Sequence, residues 1–489
     1  MRRLTGVRKP ETPGLHQQLI ENQTKFVEEH GAMWEEMRTI YEPYLLDFKG
    51  SEEEAREHHA DPHEKRMLRI QAWIELDESG ARFNGRTWMT SAKWKPKHET
   101  AKPGKKIRLI MDLEVPASLR GFRLFDALKR AQDENILEYK AGHIEFCKSP
   151  RLTRLHKVFD RLREPDGRYH FVLFSDDSVL ALRVGDKVLW FNLDISSCDA
   201  SHGPAIFDVL RKITTNRCKP DMELLIKQCQ APLKIRSIAD PTHCLVLRPK
   251  RPMLSSGSTI TTGINNVANI CIAMAIADAF DGTWKPGFIE ECAARAGYIV
   301  TGGEPLSRFE EVQFLKHSPV LDVKGVWRPL LNPGVLIRAT GSIDGDLPGS
   351  GCLERRANTF QYSVIRGMYP KSEFKLKQAM LSAGGPHCSL NAKQIEQTNA
   401  KVRQVTGFKV VEDSEYPVCE FASADIYRRY DLTEAEIISV DQDYGELKYG
   451  EYLNSSGLSK ILTMDYGLKT IESSVHTFAN GLTYESNYP

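Results

Sequence analysis

An α+β fold is predicted by two features of the sequence. Three short apolar strands joined by tight turns run from Tyr169 to Asp194, and helical stretches flank them on both sides. Tyr169-His-Phe-Val-Leu-Phe174 is apolar and aromatic, Ser175-Asp-Asp-Ser178 is a turn, and Val179-Leu-Ala-Leu-Arg-Val184 is apolar again. Gly185-Asp186-Lys187 makes a second turn, and Val188 to Leu193 forms a third strand that ends on Asp194. Upstream, residues 14 to 48 read as helical. Leu19, Ile20, Phe26, Met33, Met37, Ile40 and Tyr41 recur at near-helical spacing, and Pro43 interrupts them. A polar helix is expected over 52 to 76, and an apolar strand over Ile107 to Met111. Downstream, a helix is expected from about Pro204 to Thr214. The small-residue loop Ser255-Ser-Gly-Ser258 opens a long helix that carries Asn265, Asn266 and Asn269 and closes with Ile270 to Phe280. Pro286 suits the first turn of a helix reaching Ala296. Tyr298 to Thr301 and Val312 to Lys316 read as strands, and mixed helix and loop follow from Val320.

Composition narrows the class. At roughly 150 residues per domain, 489 residues suggest about three domains or one multilobed body. The net charge is +1, so a nucleic-acid surface on this chain must be local. Arg86, Lys93, Lys95, Lys97, Lys102, Lys105, Lys106 and Arg108 form such a basic stretch, broken by Pro96, Pro103 and Gly104. The 10 cysteines include no Cys-x-x-Cys pair, which argues against a zinc ribbon and for reduced, buried thiols. No apolar run approaches the ~20 residues that span a membrane. Met1 to Pro10 is basic without an apolar core, so no signal peptide is expected. The expected class is a soluble intracellular protein.

Asp176-Asp177 is the one Asp-Asp doublet in the sequence. Two adjacent carboxylates at a hairpin tip repel each other, and they are comfortable when solvated or neutralised by a divalent cation. A solvated turn is the commoner outcome for an isolated doublet. Asp194 changes that balance, because antiparallel neighbours run in opposite directions and return the end of the third strand to the tip. Oxygen ligands from two strands then meet, as a magnesium pair requires. Asp199 follows where strand gives way to helix, either as an N-cap or as a contact for a nucleotide sugar.

These residues resemble the motifs of viral RNA-dependent RNA polymerases. Asp194-x4-Asp199-Ala-Ser resembles motif A, Ser256-Gly257-x3-Thr261-x3-Asn265 resembles motif B, and Phe174-Ser-Asp-Asp177 resembles motif C. Most such polymerases run A, B, C; here the order is C, A, B, as in permutotetravirus and, more distantly, birnavirus polymerases. Ser-Asp-Asp is closer to the usual Gly-Asp-Asp than to the Ala-Asp-Asn of birnaviruses. Lys105-Lys106-Ile-Arg108 resembles the end of motif F, and Val312-Gln-Phe-Leu-Lys316 resembles motif E. Motif D belongs between about 286 and 311, where Arg308 is the nearest basic residue in place of the usual lysine. Motif G is not placed.

The resemblance covers about 93 to 316 and implies a right-hand architecture with a permuted, antiparallel palm sheet packed on helices. The implied division is an N-terminal extension and fingers over 1–165, palm over 166–212, a fingers insertion over 213–245, palm over 246–325 and thumb over 326–489. It implies template-directed RNA synthesis from NTPs for a viral genome. Asp176, Asp177 and Asp194 would hold two Mg²⁺ ions, with Mn²⁺ able to substitute. Lys105, Lys106 and Arg108 would neutralise the triphosphate. Asp199 and Asn265, with Ser256, Gly257 and Thr261, would read the ribose 2′-hydroxyl. Phe314, Leu315 and Lys316 would grip the primer. Implied partners are an RNA template, a primer–product duplex and viral replication proteins or a protein primer, in host cytoplasm or a virion. Two rival readings are a non-catalytic RNA-binding or assembly protein on the same body, and a polymerase distinguished by protein-primed self-nucleotidylation. Asp441-Gln-Asp443 imitates a displaced motif C, but its flanks are less apolar and a surface turn is expected there. His202 and His243 lack partners at zinc spacing and read as structural.

Overall fold

The computed structural model describes residues 14–46, 90–95, 108–112, 115–148, 150, 152–236, 242–335, 341–343, 419–445, 452–453, 455–467 and 475–477. The chain divides into two compact units. The first comprises Met1–Trp94, Leu109–Lys148 and Leu162–Leu306; the second comprises Lys95–Arg108, Ser149–Arg161 and Ser307–Pro489.

In the first unit, the expected N-terminal helix is two helices, α1 (Leu15–Glu29) and α2 (Gly31–Leu46). The break falls at His30, while Pro43 lies inside α2. His30 holds this break with both ring nitrogens, Nδ1 at 2.8 Å from the Phe26 carbonyl and Nε2 at 2.8 Å from Asp278 Oδ2. The helix expected over 52 to 76 lies outside the described residues. Next come β1 (Thr90–Lys95), β2 (Arg108–Asp112), α3 (Val115–Glu134), β3 (Leu137–Tyr139) and β4 (Gly142–Phe146). Helix α4 (Leu152–Arg163) belongs to the second unit up to Arg161.

The three strands predicted around the Asp doublet are β5 (Tyr169–Phe174), β6 (Asp177–Val184) and β7 (Lys187–Ile195). They are followed by α5 (Cys198–Ser201), α6 (Pro204–Lys212), α7 (Lys219–Gln228), β8 (Leu233–Arg236) and β9 (Cys244–Leu247). Helix α8 (Thr261–Ala279), helix α9 (Phe288–Arg295) and the short strand β10 (Val300–Thr301) complete the unit.

Two sheets result, one ordered β2-β1-β8-β9 and one ordered β10-β7-β6-β5-β4-β3. The second carries the meander at its centre. It departs from the antiparallel expectation in one pair, because β4 and β5 run parallel. A parallel neighbour needs a long crossover, which the segment containing α4 supplies. Side chains alternate between the two faces of this sheet. One face carries Ile144, Phe146, Tyr169, Phe171, Leu173, Leu180, Leu182, Phe191, Leu193 and Ile195, which share a single apolar cluster with residues of α1, α2, α3, α6, α7, α8 and α9. Helix α8 is apolar on nearly all sides and buried from Gly263 to Ala277, as such a helix must be.

The second unit contains the hairpin of β11 (His317–Leu321) and β12 (Trp327–Leu331) and a small sheet in the order β13-β15-β14, formed by β13 (Gly341–Ile343), β14 (Tyr452–Leu453) and β15 (Val475–Thr477). Its helices include α10 (Ser423–Tyr427), α11 (Glu434–Gly445) and α12 (Ser456–Tyr466). Asp441 and Asp443 therefore lie in a helix, where a surface turn was expected. The buried Asp465 carboxylate accepts from Tyr430 Oη at 2.8 Å and from the Gly334 N–H at 2.9 Å, with Arg429 Nε at 3.5 Å. Burial raises its pKa above the usual carboxylate value, opposed chiefly by Arg429.

Gly263 marks a close approach to the central helix, since a Cβ there would lie 2.4 Å from Cε1 of the buried Phe125 ring. Gly263→Ala should destabilise the fold by about 1–3 kcal/mol, as overpacking does. Urea unfolding followed by circular dichroism will show this as a lower midpoint; an unchanged midpoint would refute the packing.

Candidate active site

The β5–β6 hairpin pairs Phe174 with Asp177 and leaves Ser175 and Asp176 as its two-residue loop. Such loops require positive φ, and Ser175 takes φ 59. A left-handed residue without a glycine needs compensation, and helix α8 provides it. The Ser175 N–H donates to Asn266 Oδ1 at 2.7 Å, Asn269 Nδ2 donates to the Ser175 carbonyl at 2.6 Å, and Asn265 Nδ2 donates to Ser175 Oγ at 3.3 Å. Asn266 in turn donates to Gln132 Oε1 of α3 at 2.8 Å. Both backbone polar groups and the hydroxyl of one turn residue are thus held by three buried amides.

The clamp fixes where the carboxylates go. The register of β6 against β7 sets Asp177 directly opposite Asp194. Directly opposed residues project from the same face with Cβ atoms about 4.5–5.5 Å apart. The sequence reading emphasised Asp176 as the neighbour of Asp194; the register gives the opposed position to Asp177 and leaves Asp176 exposed at the tip. Thr301 pairs with Asp194 from the other side. Asp176, Asp194 and Asp199 all act on one buried thiol. Cys198 is pushed well above the usual cysteine value, first by burial and then by those three carboxylates.

A second network forms around Asp199, which is half-buried in α5. The Ser256 hydroxyl donates to its Oδ2, and Asn265 Nδ2 donates to its Oδ1 at 3.2 Å. Asn265 Oδ1 faces His202 Nε2 at 2.8 Å, and His202 Nδ1 faces the Tyr298 hydroxyl at 3.2 Å. Ser256 is placed by consecutive turns, in which Ser258 N–H donates to the Ser255 carbonyl and Thr261 N–H to the Ser258 carbonyl. Gly257 takes φ 101 within these turns, a conformation L side chains avoid. Thr261 starts α8, and its Oγ1 is buried with no hydrogen-bond partner among the described residues.

Other expected site residues lie outside the described residues or in the second unit. Lys105 and Lys106 lie outside the described residues, and Arg108 is described only as the first residue of β2. In the second unit, Val312–Lys316 is not the strand expected. Phe314 bridges His317 across a tight turn in which Leu315 and Lys316 take φ 49 and 63. Lys316 Nζ donates to the Asp465 carbonyl at 2.7 Å and lies 4.8 Å from the Tyr466 ring centroid. Arg308, also in the second unit, bonds Asp431 at 2.7 Å. The sequence assigns no site role to Asn266, Asn269, Gln132 or Tyr298, and His202 reads there as structural only. The available signal was the i, i+1, i+4 spacing of asparagines on an otherwise apolar helix.

Among the described residues, no three His, Cys, Asp or Glu side chains converge closely enough to cage a metal ion. The donor set at the tip is instead a pair of opposed carboxylates with a third beside them. Magnesium is commonly held by one or two carboxylates together with substrate phosphates, not by an all-protein cage. The oxygen-only donors fit that mode. Cys147, Cys198, Cys218, Cys229, Cys271, Cys292 and Cys419 are buried and none is in a disulfide.

No protein-family model and no curated protein matches the sequence. Among solved structures, the chain is similar to the X-ray structure of a birnavirus VP1–VP3 complex, at 10% identity and a TM-score of 0.42, over 65% of this chain and 46% of that one. It is also similar to the RNA polymerase VP1 from Infectious Pancreatic Necrosis Virus, at 10% identity and a TM-score of 0.38, over 76% and 58%. The chain thus spans about half the length of these structures.

The Asn266 clamp has a measurable cost of removal. Asn266→Ala leaves the Ser175 N–H and Gln132 Oε1 without this buried partner, so it should lower stability by about 1–3 kcal/mol. The check is the denaturant midpoint at unchanged slope, and a wild-type midpoint would contradict the clamp.

Proposed function

We propose that this chain is the polymerase body of a viral RNA-dependent RNA polymerase with permuted palm motifs. The observation that carries the reading is the opposition of Asp177 and Asp194 across β6 and β7, with Asp176 at the adjoining tip. Like charges directly opposite in a sheet are unfavourable. A site that keeps them, and holds the turn with three amides, is built for a cation that comes with its substrate.

In this reading Asp176, Asp177 and Asp194 hold two Mg²⁺ ions together with the phosphates of an incoming NTP, and Mn²⁺ substitutes. Bound there, the ions would lower the primer hydroxyl pKa and stabilise the leaving pyrophosphate. The chain's own contribution is position. The Asn265, Asn266 and Asn269 side chains hold the tip at Ser175, and the β6–β7 register sets the spacing of the carboxylates. Asp199, with Ser256 and Asn265, accepts the ribose 2′-hydroxyl that distinguishes RNA from DNA building blocks. The basic residues Lys105, Lys106 and Arg108 are assigned to the triphosphate and Phe314 to Lys316 to the primer. Fingers would be formed by 1–165 and 213–245, palm by 166–212 and 246–325, and thumb by 326–489. Template RNA, NTPs and viral replication proteins are the partners, in host cytoplasm or a virion. Among the described residues no helix is long and apolar enough to cross a membrane.

Primer extension on a homopolymer template tests the reading. Asp176→Ala and Asp194→Ala should each abolish Mg²⁺-dependent extension while retaining a cooperative unfolding transition; robust extension by either purified variant would overturn the assignment. For the sugar contact, Asp199→Ala and Asn265→Ala should narrow the preference for NTP over dNTP in single-nucleotide incorporation. A wild-type ratio in both would remove that role.

A further inference from the structure

We infer that His202, locked by Tyr298, is a positioning residue for ribose specificity at this site, holding the Asn265 carboxamide with its NH₂ toward Asp199. The inference rests on the nucleotide-sugar role proposed for Asp199. Asp199 Oδ1 lies 3.2 Å from Asn265 Nδ2. A carboxylate only accepts hydrogen bonds, so the amide must present its NH₂ there. The amide oxygen then points the opposite way, to His202 Nε2 at 2.8 Å. That oxygen also only accepts, so Nε2 must carry the proton. In the neutral ring this leaves Nδ1 as an acceptor, and the Tyr298 hydroxyl lies 3.2 Å from it. Each partner in the series therefore has one allowed role: Tyr298 O–H to His202 Nδ1, His202 Nε2–H to Asn265 Oδ1, Asn265 N–H to Asp199.

His202, Tyr298 and Asn265 are buried, at 5%, 0% and 1% exposure. Water is a poor substitute for any of them. The direction of the chain matters for what Asp199 offers a ligand. Its Oδ1 is occupied by Asn265 and its Oδ2 by Ser256, so its remaining acceptor lobes are the ones a sugar hydroxyl must use. If the amide turned over, its oxygen would face the Asp199 carboxylate and repel it, and the acceptor geometry would be lost. His202 does not reach the sugar in this scheme; it is a positioning residue, and its sequence neighbours Ser201 and Gly203 give no hint of it.

The test is single-nucleotide incorporation by the full chain, with KM and kcat measured separately for an NTP and its dNTP. His202→Ala should raise KM for the NTP and leave the dNTP values near wild type. The NTP/dNTP preference should then fall roughly tenfold, the value of about one hydrogen bond. His202→Gln, whose side-chain amide can donate from near the Nε2 position, should restore most of the preference. Tyr298→Phe, which keeps the ring and loses the hydroxyl, should give a smaller fall and remains informative if His202→Ala does not fold. A merely structural role would depress NTP and dNTP incorporation together, and that result, or an unchanged ratio in both His202→Ala and Tyr298→Phe, would overturn the inference. Failure of the wild-type chain to incorporate any nucleotide would overturn the polymerase reading itself and this inference with it.

Discussion

Three asparagine amides on one buried helix hold a two-residue turn, and the site depends on that contact. Helix α8 is otherwise apolar, and an amide inside such a helix is costly unless its groups are matched. Each of Asn265, Asn266 and Asn269 bonds Ser175, and Asp199, His202 and Gln132 match the other groups of the first two, while Asn269 Oδ1 has no partner among the described residues. The turn could be closed more simply by a glycine, which takes positive φ without penalty. Serine at that position makes sense once its Oγ is seen within reach of Asn265. The hydroxyl joins the tip of the hairpin to the residue that also orients Asp199, so the two halves of the site share one amide.

The electrostatic design follows from the same placement. Opposed Asp177 and Asp194, with Asp176 and Asp199 nearby, concentrate negative charge at one end of the sheet, while the chain as a whole is nearly neutral at +1. The cost is local and is borne by the rigid support beneath, where Leu180, Leu182, Phe191 and Leu193 anchor β6 and β7 in the core. Cys198 registers this field, since its thiol is discouraged from ionising both by burial and by the carboxylates. A neutral thiol there adds no further negative charge to the cluster.

Much of this was legible in the sequence, for reasons particular to each element. The β5, β6 and β7 strands announce themselves because apolar runs of strand length are separated by Ser-Asp-Asp and Gly-Asp turns. Helix α8 is visible from its small-residue loop and long apolar run. Register was not legible to the residue, because β5 and β6 are apolar on both faces and a one-residue shift leaves no polar mark in the sequence; the structure sets Asp177, not Asp176, opposite Asp194. The parallel pairing of β4 with β5 depends on a distant connection and leaves no local mark. The turn at Leu315 and Lys316 was hidden because neither residue is a usual left-handed type, and the flanking Val312 and Phe314 imitate a strand. His202 was hidden most completely. Nothing in its neighbours shows that Asn265 and Tyr298 will meet it.

The order of the carboxylates along the chain places little physical constraint on such a site. What a pair of opposed carboxylates needs is two adjacent strands in one register, and a hairpin is the shortest way to obtain them. Here Gly185, at φ 59, and Asp186 form a two-residue loop between β6 and β7, so the Ser-Asp-Asp turn and Asp194 are joined by a single connection. With the intervening turn this short, the β6–β7 register is set locally, without waiting for a distant helix to dock. Helix α8, which arrives later in the chain, then has one task at the tip: to satisfy Ser175 and present Asn265. Placing the doublet first therefore makes the carboxylate geometry a property of the meander, and leaves the amide chain from Tyr298 through His202 to Asp199 as the part assembled from remote segments.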